Sequence, residues 1–379
     1  MKKMHLMAPG PTPVPEAARL VMARQLIHHR GPQFKEIMAE TRAGLKWLFE
    51  TESEVLSLTC SGTGAFEAGI TNFTSRGEKL IAVGGGKFGE RWGKVGRAFG
   101  MNVVDVELEW GKALTPERLG AVLDEHDDAT MVTLTASETS TGVFHPVEEL
   151  GRTVREKSNA LFAVDGITAV GVHKMAMDKW EIDVLVAGSQ KAFGIPPGLG
   201  FLAASDRAWE RAASSDHPKF YFDLQRELKR QKENQTAFTP AISVVLALRE
   251  VLAMMKDEGR QGLLERHRLN AEATRAGVKA LGLTLLSEQP ARSVTAALVP
   301  SAFSARDIVA RMRENQGVVI AGGQADLATS LIRIGHIGFF DSSDIVVVLG
   351  ALEQVLGDLG MDVEMGSGVA AAQEVFSGR

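Results

Sequence analysis

The sequence predicts an α/β protein with a large domain built on a mostly parallel sheet and a smaller C-terminal α/β domain. Between residues 55 and 205, short apolar runs alternate with longer amphipathic stretches, which is the pattern of strand–helix–strand units. Most of these runs are apolar on both faces, as expected when helices cover both sides of a sheet. After Pro240 the pattern becomes helical, and a second, shorter α/β pattern follows.

The strands of the large domain are predicted from runs of aliphatic and β-branched residues that end in Gly, Ser or Asp. They cover 55–60, 79–83, 102–106, 130–135, 160–165, 183–187 and 200–204. Beyond Pro240, apolar spacing predicts helices at 241–256, 263–281, 305–314 and 342–356, and strands at 293–298 and 331–334. Gly259 is a plausible helix break, so we expect a large domain over 21–258 and a small domain over 259–379.

Composition excludes several classes of protein. The 379 residues carry 42 Lys and Arg against 47 Asp and Glu, a net charge of −5, so no broad basic surface for nucleic acid is expected. The single cysteine, Cys60, rules out an internal disulfide framework or a Cys-cluster metal site. The prolines of 9–13 interrupt any signal-peptide pattern, and no apolar run approaches the ~20 residues of a membrane span. We expect a cytoplasmic protein with no membrane partner and no metal.

A candidate phosphate site follows the first predicted strand. Residues 61–65 (Ser-Gly-Thr-Gly-Ala) open a helix, so backbone N–H groups and the Thr63 hydroxyl would face a ligand at a helix N-terminus. A tight turn explains the same glycines equally well. The dinucleotide fingerprint is not matched, because Glu67 stands where its third glycine belongs, and the 84–87 segment lacks the upstream glycine of a P-loop.

Two further groups stand at strand ends. Asp165 ends one predicted strand, where open α/β sheets collect ligands, although an Asp that caps the next turn is the simpler alternative. Lys191 lies between two apolar strands, with little solvated helix face to occupy. A phosphate cradle, a carboxylate and a lysine are the groups that pyridoxal 5′-phosphate requires. Phe88 is a candidate to cover the cofactor ring, although a Phe at the start of a helix is more often a core residue.

Eight stretches in the same order make the chain resemble the class V aminotransferases of pyridoxal-phosphate fold type I. Within them it resembles the alanine–glyoxylate, serine–glyoxylate and serine–pyruvate aminotransferase group. The stretches are Pro-Gly-Pro-Thr-Pro at 9–13, Ser-Gly-Thr-Gly at 61–64, Phe-Gly-Glu-Arg at 88–91, Glu-Thr-Ser-Thr-Gly-Val at 138–143, Val-Asp-Gly at 164–166, Gly-Ser-Gln-Lys at 188–191, Thr-Pro at 239–240 and Ile-Arg-Ile-Gly at 332–335.

The resemblance implies a role for each matching residue. Lys191 would be the Schiff-base lysine, and Asp165 the partner of the pyridine nitrogen. The residues implied to hold the phosphate are Thr63, Gly64, Ala65 and Gln190, together with Thr239 contributed by a neighbouring subunit. A homodimer with shared active sites is therefore expected, with residues 1–20 contributing to the active site and the dimer.

Two more residues match positions near the ring and the substrate. Ser140 matches a hydroxyl near the ring, and Arg333 matches the arginine that takes the substrate α-carboxylate, a task suited to a bidentate guanidinium. Alternation along 331–335 also places Arg333 away from the small-domain core. An ion pair with Asp341 or Asp344 is the alternative for its charge.

The sequence departs from the family at two positions and leaves three histidines open. Phe88 stands where relatives often have Trp, and Thr236 stands where a Tyr is usual near the neighbour's phosphate contact. His28 or His29 could line the substrate cleft, although a surface or packing role is favoured. We interpret His336 as structural rather than catalytic.

The resemblance implies transamination of a small amino acid, serine or alanine, with glyoxylate or pyruvate as acceptor, in a ping-pong cycle. Other activities stay open at this point: a lyase of the same class, or a non-catalytic subunit that kept the fold. Cysteine desulfuration is disfavoured, because the only cysteine, Cys60, ends a buried strand. The amino donor cannot be read from the sequence.

Overall fold

The structure, a computed structural model, describes residues 3–378. Fifteen strands are present in these residues: β1 His5–Leu6, β2 Val55–Leu58, β3 Lys79–Val83, β4 Asn102–Val106, β5 Ala129–Thr135, β6 Ser137–Glu138, β7 Val143–Phe144, β8 Leu161–Asp165, β9 Val184–Gly188, β10 Gly200–Ala204, β11 Thr284–Leu285, β12 Val294–Leu298, β13 Val318–Val319, β14 Ala321–Gly322 and β15 Leu331–Gly335.

The same residues form thirteen α-helices. They are α1 Glu16–Met22, α2 Pro32–Phe49, α3 Gly62–Phe73, α4 Gly89–Ala98, α5 Pro116–Glu125, α6 Val147–Lys157, α7 Asp206–Ala212, α8 Leu224–Lys232, α9 Ile242–Glu258, α10 Arg260–Ala280, α11 Ala305–Arg311, α12 Ser342–Asp358 and α13 Ser367–Ser377. None of them is long and apolar enough to cross a membrane.

A seven-stranded sheet in the order β2-β10-β9-β8-β5-β3-β4 forms the centre of the large domain. Every neighbouring pair is parallel except those made by β10, which runs antiparallel to β2 and β9. The sheet confirms the predicted α/β class, and all seven predicted strands lie in it. The apolar runs located these strands correctly because a strand covered on both faces is apolar throughout. The strands that are almost wholly buried are β2, β5, β8, β9 and β10.

The C-terminal part contains a second, antiparallel sheet in the order β11-β12-β15-β14. The predicted helix at 305–314 is wrong in its last turn, because α11 ends at Arg311 and a π-helical turn covers Met312–Gln316. Beyond the predicted helices, the residues after Gly366 form α13.

The domain boundary at 258 remains a proposal, and two features support it. Helix α9 ends at Glu258 and α10 begins at Arg260, with Gly259 between them at φ +77°. Two clusters of buried apolar residues, with members between Ala18 and Leu263, pack on the large sheet, and a third, made of Met7 and residues from Ala273 onwards, packs on the small sheet.

The N-terminal segment touches both units. Strand β1 pairs in parallel with β13, and Met7 is buried in the C-terminal cluster. Farther along the segment, Ala18 packs in the cluster of the large sheet. Residues 8–15 therefore run across the junction, where the site described below lies.

Four strands deliver their ends to one edge of the large sheet. Strands β5, β8 and β9 are parallel, and β2 points the same way because β10 is antiparallel to both β2 and β9. Thr135 and Asp165 are register partners at the carboxyl ends of β5 and β8. Ligands of open α/β sheets bind at such an edge.

Candidate active site

Lys191 lies three residues beyond the end of β9, and the N-terminal segment covers it. Its ammonium Nζ donates a hydrogen bond to the Pro9 carbonyl over 2.7 Å, and the Thr12 hydroxyl donates to the Lys191 carbonyl over 2.9 Å. Burial lowers the pKa of Lys191 to about 8. Roughly a tenth of such amines are neutral at pH 7, so Lys191 is far more nucleophilic than a solvated lysine.

Gly10 packs directly against the Lys191 side chain. A Cβ at residue 10 would lie 2.2 Å from Nζ and 2.5 Å from Cδ, and the backbone there has φ +130°, a conformation that favours glycine. We therefore expect Gly10→Ala to displace Lys191 and to lower the turnover number at least about tenfold, since misplacing a reacting group by ~1 Å has effects of that size or larger.

The control for this variant is Gly77→Ala. Gly77 also has positive φ, at +74°, but no atom lies within 4 Å of its Cβ position. Both variants carry backbone strain, but only Gly10→Ala also crowds the Lys191 side chain. Steady-state rates and melting temperatures of the two variants therefore separate the effect of strain from the effect of crowding. Equal rates in the two variants would refute the packing argument.

Asp165 ends β8 as a buried carboxylate, 4 % exposed. Its Oδ1 accepts from the Ile167 N–H over 2.9 Å, and its Oδ2 accepts from the Thr135 hydroxyl over 3.3 Å. Burial raises its pKa to about 7, with a smaller contribution from the Glu138 carboxyl. A cation placed against Asp165 would restore its charged form, so the residue suits a protonated ring nitrogen.

Lys191 and Asp165 line one cavity of about 250 Å³. The Asp165 carboxylate raises the pKa of Lys191 against the effect of burial. Of the other predicted residues, the cavity also contains Thr63, Phe88 and Gln190. Its remaining lining residues are Gly10, Ser61, Gly62, Arg91, Thr135, Ser137, Thr139, Ile167 and Thr168.

The predicted phosphate cradle is the first turn of α3. No side chain caps this helix, and the structure gives the N–H groups of Gly62 and Thr63 no acceptor within residues 3–378. The amides of Gly64 and Ala65, also predicted to contact phosphate, donate instead to the Ser61 carbonyl. Uncapped N–H groups at a helix N-terminus attract an anion.

Gln190 adds a second indication of a ligand at this end. Its side-chain Oε1 is buried and has no hydrogen-bond partner within the described residues. A Cβ on Gly188 would lie 3.3 Å from this Oε1 and 3.7 Å from the Gly62 nitrogen, so the amide lies beside the start of α3. Buried polar atoms without partners are rare, and a bound phosphate would satisfy this one.

Glu138 holds the loop that carries Phe88, a role not predicted from the sequence. One oxygen accepts from the N–H groups of Phe88 and Gly89 over 3.0 and 2.9 Å. The other accepts from the Ser140 N–H and hydroxyl over 3.0 and 2.6 Å. Glu138 is fully buried, and burial raises its pKa against the effect of these donors. Ser140 thus fixes the loop and does not itself line the cavity.

Arg333 is 6 % exposed in the middle of β15. Its Nη1 donates to the Thr139 carbonyl, and its Nε to the Gly322 carbonyl, each over 2.8 Å. The predicted alternative, an ion pair with Asp341 or Asp344, is wrong, because those two carboxylates form the capping box of α12. Through Thr139, which lines the cavity, Arg333 lies at its border.

The remaining predicted residues lie elsewhere in this chain. Thr239 is exposed and lies with the buried Thr236 at a separate pocket. His28 is exposed on the N-terminal side. His336 is buried and bonds the Thr295 hydroxyl and the Arg292 carbonyl, each over 2.9 Å, and burial lowers its pKa to about 3. That neutral, doubly bonded imidazole fits the structural interpretation.

The chain is similar to several characterised and solved proteins. It is 43 % identical to the soluble hydrogenase 42 kDa subunit of Anabaena cylindrica, over 99 % of both chains. It is 33 % identical to the L-aspartate–glyoxylate aminotransferase of Paracoccus denitrificans, over 97 % of this chain and 95 % of the other. The serine–glyoxylate aminotransferase of Methylorubrum extorquens is 31 % identical, over 97 % and 94 %.

Among solved structures, the ureidoglycine–glyoxylate aminotransferase of Bacillus subtilis superposes with a TM-score of 0.94. It is 28 % identical and covers 100 % of this chain and 99 % of its own. The fold and the site thus define an enzyme of pyridoxal-phosphate fold type I. The profile of the class-V aminotransferases matches residues 19–338, and the chain belongs to that family. Pyridoxal 5′-phosphate is its cofactor.

The residues of the cavity fit this cofactor. A buried lysine, a buried carboxylate and an uncapped helix N-terminus are the three groups that its aldehyde, ring nitrogen and phosphate need. The unpartnered Gln190 Oε1 is consistent with a ligand beside α3. Among residues 3–378, no cluster of three or more His, Cys, Asp or Glu side chains forms a candidate metal site.

Proposed function

We propose that the protein transfers the amino group of a small amino acid, serine or alanine, to glyoxylate or pyruvate in a ping-pong cycle. The observation that carries this proposal is the joint placement of Lys191 and Asp165 in one buried cavity with Arg333 at its border. Glyoxylate is the acceptor in the names of the aspartate and serine aminotransferases to which the chain is similar.

Each proposed group does one task. Bound pyridoxal 5′-phosphate supplies the electron sink that allows an amino acid to lose its Cα proton. Asp165 keeps a proton on the ring nitrogen, since its buried carboxylate gains from a cationic partner. Lys191 holds the cofactor and, once released, carries the proton away from Cα, a task for which a pKa of about 8 suits it. Phe88, whose backbone N–H donates to Glu138, would cover one face of the cofactor ring.

Arg333 is proposed to bind the α-carboxylate. Its guanidinium uses two N–H groups on carbonyl oxygens and is paired with no carboxylate within the described residues. Burial lowers the pKa of Arg333, and the Glu138 carboxylate counteracts this. A buried cation with spare N–H donors is stabilised by an incoming carboxylate, which it can bind in bidentate fashion.

The test of the proposed function is a panel of amino donors and 2-oxo acids. Half-reactions followed through the cofactor's absorbance should show conversion by serine or alanine and return by glyoxylate or pyruvate. Aspartate is included because one relative's name contains it. A protein that binds the cofactor and converts none of these donors would refute the proposal.

Arg333→Lys should weaken every α-carboxylate substrate alike. The expected loss in transition-state binding is about 2–5 kcal/mol, because a desolvated charge pair loses its bidentate geometry. The cofactor's absorbance and the melting temperature should change little, and amines without a carboxylate should react as before. The measurement is kcat/KM of Arg333→Lys and the wild type, from saturation kinetics with amino acids and with amines that have no carboxylate.

Arg275→Lys is the matched control. Arg275 lies partly buried in the C-terminal unit and donates to the Ala291 carbonyl, but, unlike Arg333, it bonds no residue that lines the cavity. If Arg333→Lys melted early and kept wild-type substrate affinity, the arginine would be a stability residue and the carboxylate site would lie elsewhere.

A non-catalytic subunit is the second candidate, favoured by the similarity to a protein named as a hydrogenase subunit. The two candidates differ in one inexpensive observation. A transaminase binds the cofactor covalently, so the purified protein should be yellow and borohydride should fix the colour to the chain. A colourless protein that takes up no added cofactor would favour the subunit.

Cysteine desulfuration needs a reactive thiol, and Cys60 is a poor one. Burial raises the pKa of Cys60 to about 12, and its sulfur packs against Gly64 and Gly200. The thiolate, which is the nucleophile, is therefore scarce near neutral pH.

The protein is further proposed to work as a cytoplasmic homodimer with shared active sites. Thr239 lies outside the Lys191 cavity of its own chain, as the resemblance requires if a neighbour receives it. Near it in sequence, Phe220 and Tyr221 are 70 % and 46 % exposed, and such aromatic side chains are typical of buried interfaces. Sedimentation of the full chain would test this, and a monomer would refute it.

A further inference from the structure

Arg91 occupies a distinct position in the cavity. It lies in the first turn of α4 and is partly buried. Its Nη1 donates to the Thr63 hydroxyl over 3.1 Å, and its guanidinium carbon lies 4.9 Å from the centroid of the Phe88 ring. The cation therefore stands between the start of α3 and the aromatic side chain proposed to cover the ring.

No described residue forms an ion pair with Arg91, although its charge acts across the cavity on the Asp165 carboxylate and lowers the pKa of that group. Two other basic residues of α4 have carboxylate partners: Lys94 lies 3.5 Å from Glu90, and Arg97 pairs with Asp105. Within residues 3–378, no carboxylate lies within ion-pair distance of Arg91. A partly buried cation that lines a cavity without a partner is stabilised by an anionic ligand.

The position of the Arg91 guanidinium indicates which anion it would bind, the cofactor phosphate or the substrate α-carboxylate. Thr63 belongs to the uncapped turn of α3, beside the unpartnered Gln190 Oε1, and this is the end proposed for phosphate. The groups proposed there are hydroxyl, amide and backbone N–H, and none carries a charge. The α-carboxylate is proposed to bind Arg333, which contacts a different loop through Thr139.

We propose that Arg91 binds the phosphate of the cofactor and supplies its cationic partner from within the same chain. The inference rests on the cofactor placement given under the proposed function and adds a residue to it. Arg suits the task, because its planar fork of N–H donors matches phosphate oxygens. The Thr63 hydroxyl, already bonded to Arg91, would be oriented by it towards the same anion.

The test compares pyridoxal 5′-phosphate with pyridoxal, which lacks only the phosphate. The full chain and its Arg91→Gln and Arg91→Lys variants are freed of cofactor, and both compounds are titrated by absorbance. Arg91→Gln should weaken pyridoxal 5′-phosphate roughly tenfold to hundredfold, the range for a lost charged hydrogen bond, and leave pyridoxal unchanged within about twofold. Arg91→Lys keeps the charge but loses the planar pair of N–H donors, so its affinity for pyridoxal 5′-phosphate should lie between those of the wild type and Arg91→Gln.

Arg97→Gln is the matched control, since it removes the same charge from the same helix outside the cavity. It should bind both compounds as the wild type does. Inorganic phosphate should compete with pyridoxal 5′-phosphate in the wild type and less effectively in Arg91→Gln.

Two results would overturn the inference. Equal losses for pyridoxal and its phosphate would show that Arg91 acts by packing on Phe88. Unchanged cofactor affinity with a selective loss of dicarboxylic donors would place a substrate carboxylate at Arg91 instead. The titrations of the two compounds require no turnover, so a failure of the proposed transamination would leave their result standing and would be recognised separately.

Discussion

Lys191→Ala should lower transamination by roughly four orders of magnitude or more, the range found when a covalent catalyst is removed. The expectation follows from burial, because Lys191 is the only lysine that lines the cavity formed by described residues. Removal of its side chain leaves Gly10 and the Pro9 carbonyl without their contact. Borohydride should fix the cofactor to the wild type, at the peptide containing residue 191, and to no site in the variant.

Lys219→Ala is the control for this prediction. Burial also lowers the pKa of Lys219, but its ammonium donates to Thr71 and Ser215, away from the cavity. The variant should keep both the covalent attachment and the rate. If Lys191→Ala still retained cofactor after borohydride, another amine would be the attachment point and the assignment would fail.

Asp165→Asn should bind the cofactor and transaminate on the order of a hundredfold to a thousandfold more slowly, the effect of losing one preorganised electrostatic group. The amide has the shape of the carboxylate and can still accept from the Ile167 N–H, so the fold should be kept. An amide has no negative charge with which to hold a proton on the ring nitrogen. Single-turnover rates with a reactive donor measure the change.

Asp183→Asn serves as the comparison for the buried carboxylate. Asp183 is 3 % exposed and binds the Phe162 N–H, the Ser205 hydroxyl and Arg207, just before β9 begins and thus at the opposite edge of the sheet. Its variant should melt earlier, yet the folded fraction should react at the wild-type rate. Near-normal half-reactions in Asp165→Asn would mean that another acid protonates the ring.

The sequence predicted the large sheet well because burial on both faces leaves a simple signal. The predicted strands at 79–83, 102–106 and 200–204 match the structure at both ends. The antiparallel direction of β10 was not predicted, because an apolar run such as Gly-Phe-Leu-Ala-Ala does not indicate whether its strand runs parallel or antiparallel to its neighbours. Strands β1 and β13, of two residues each, are too short to give any periodic pattern.

The site was predicted where chemistry restricts the residue type. Lys191, Asp165, Thr63, Phe88 and Gln190 meet in one cavity, although their roles stay predictions. Other residues gave no such signal. Glu138 begins one of the matching stretches, but nothing in that stretch indicates its two hydrogen bonds from the N–H groups of Phe88 and Gly89, which form only in the folded chain. The 88–91 motif contained Arg91, and its unpaired charge was visible only once the neighbouring carboxylates had been located.

The pairing of β1 with β13 joins residues that are about 310 positions apart in the chain. Closing so long a loop has a large entropic cost, and contacts of such high sequence separation form slowly. Gly10 and Pro9 reach Lys191 as part of the same segment. The wall that they form over Lys191 is therefore connected to a strand pair whose two members lie far apart in the chain.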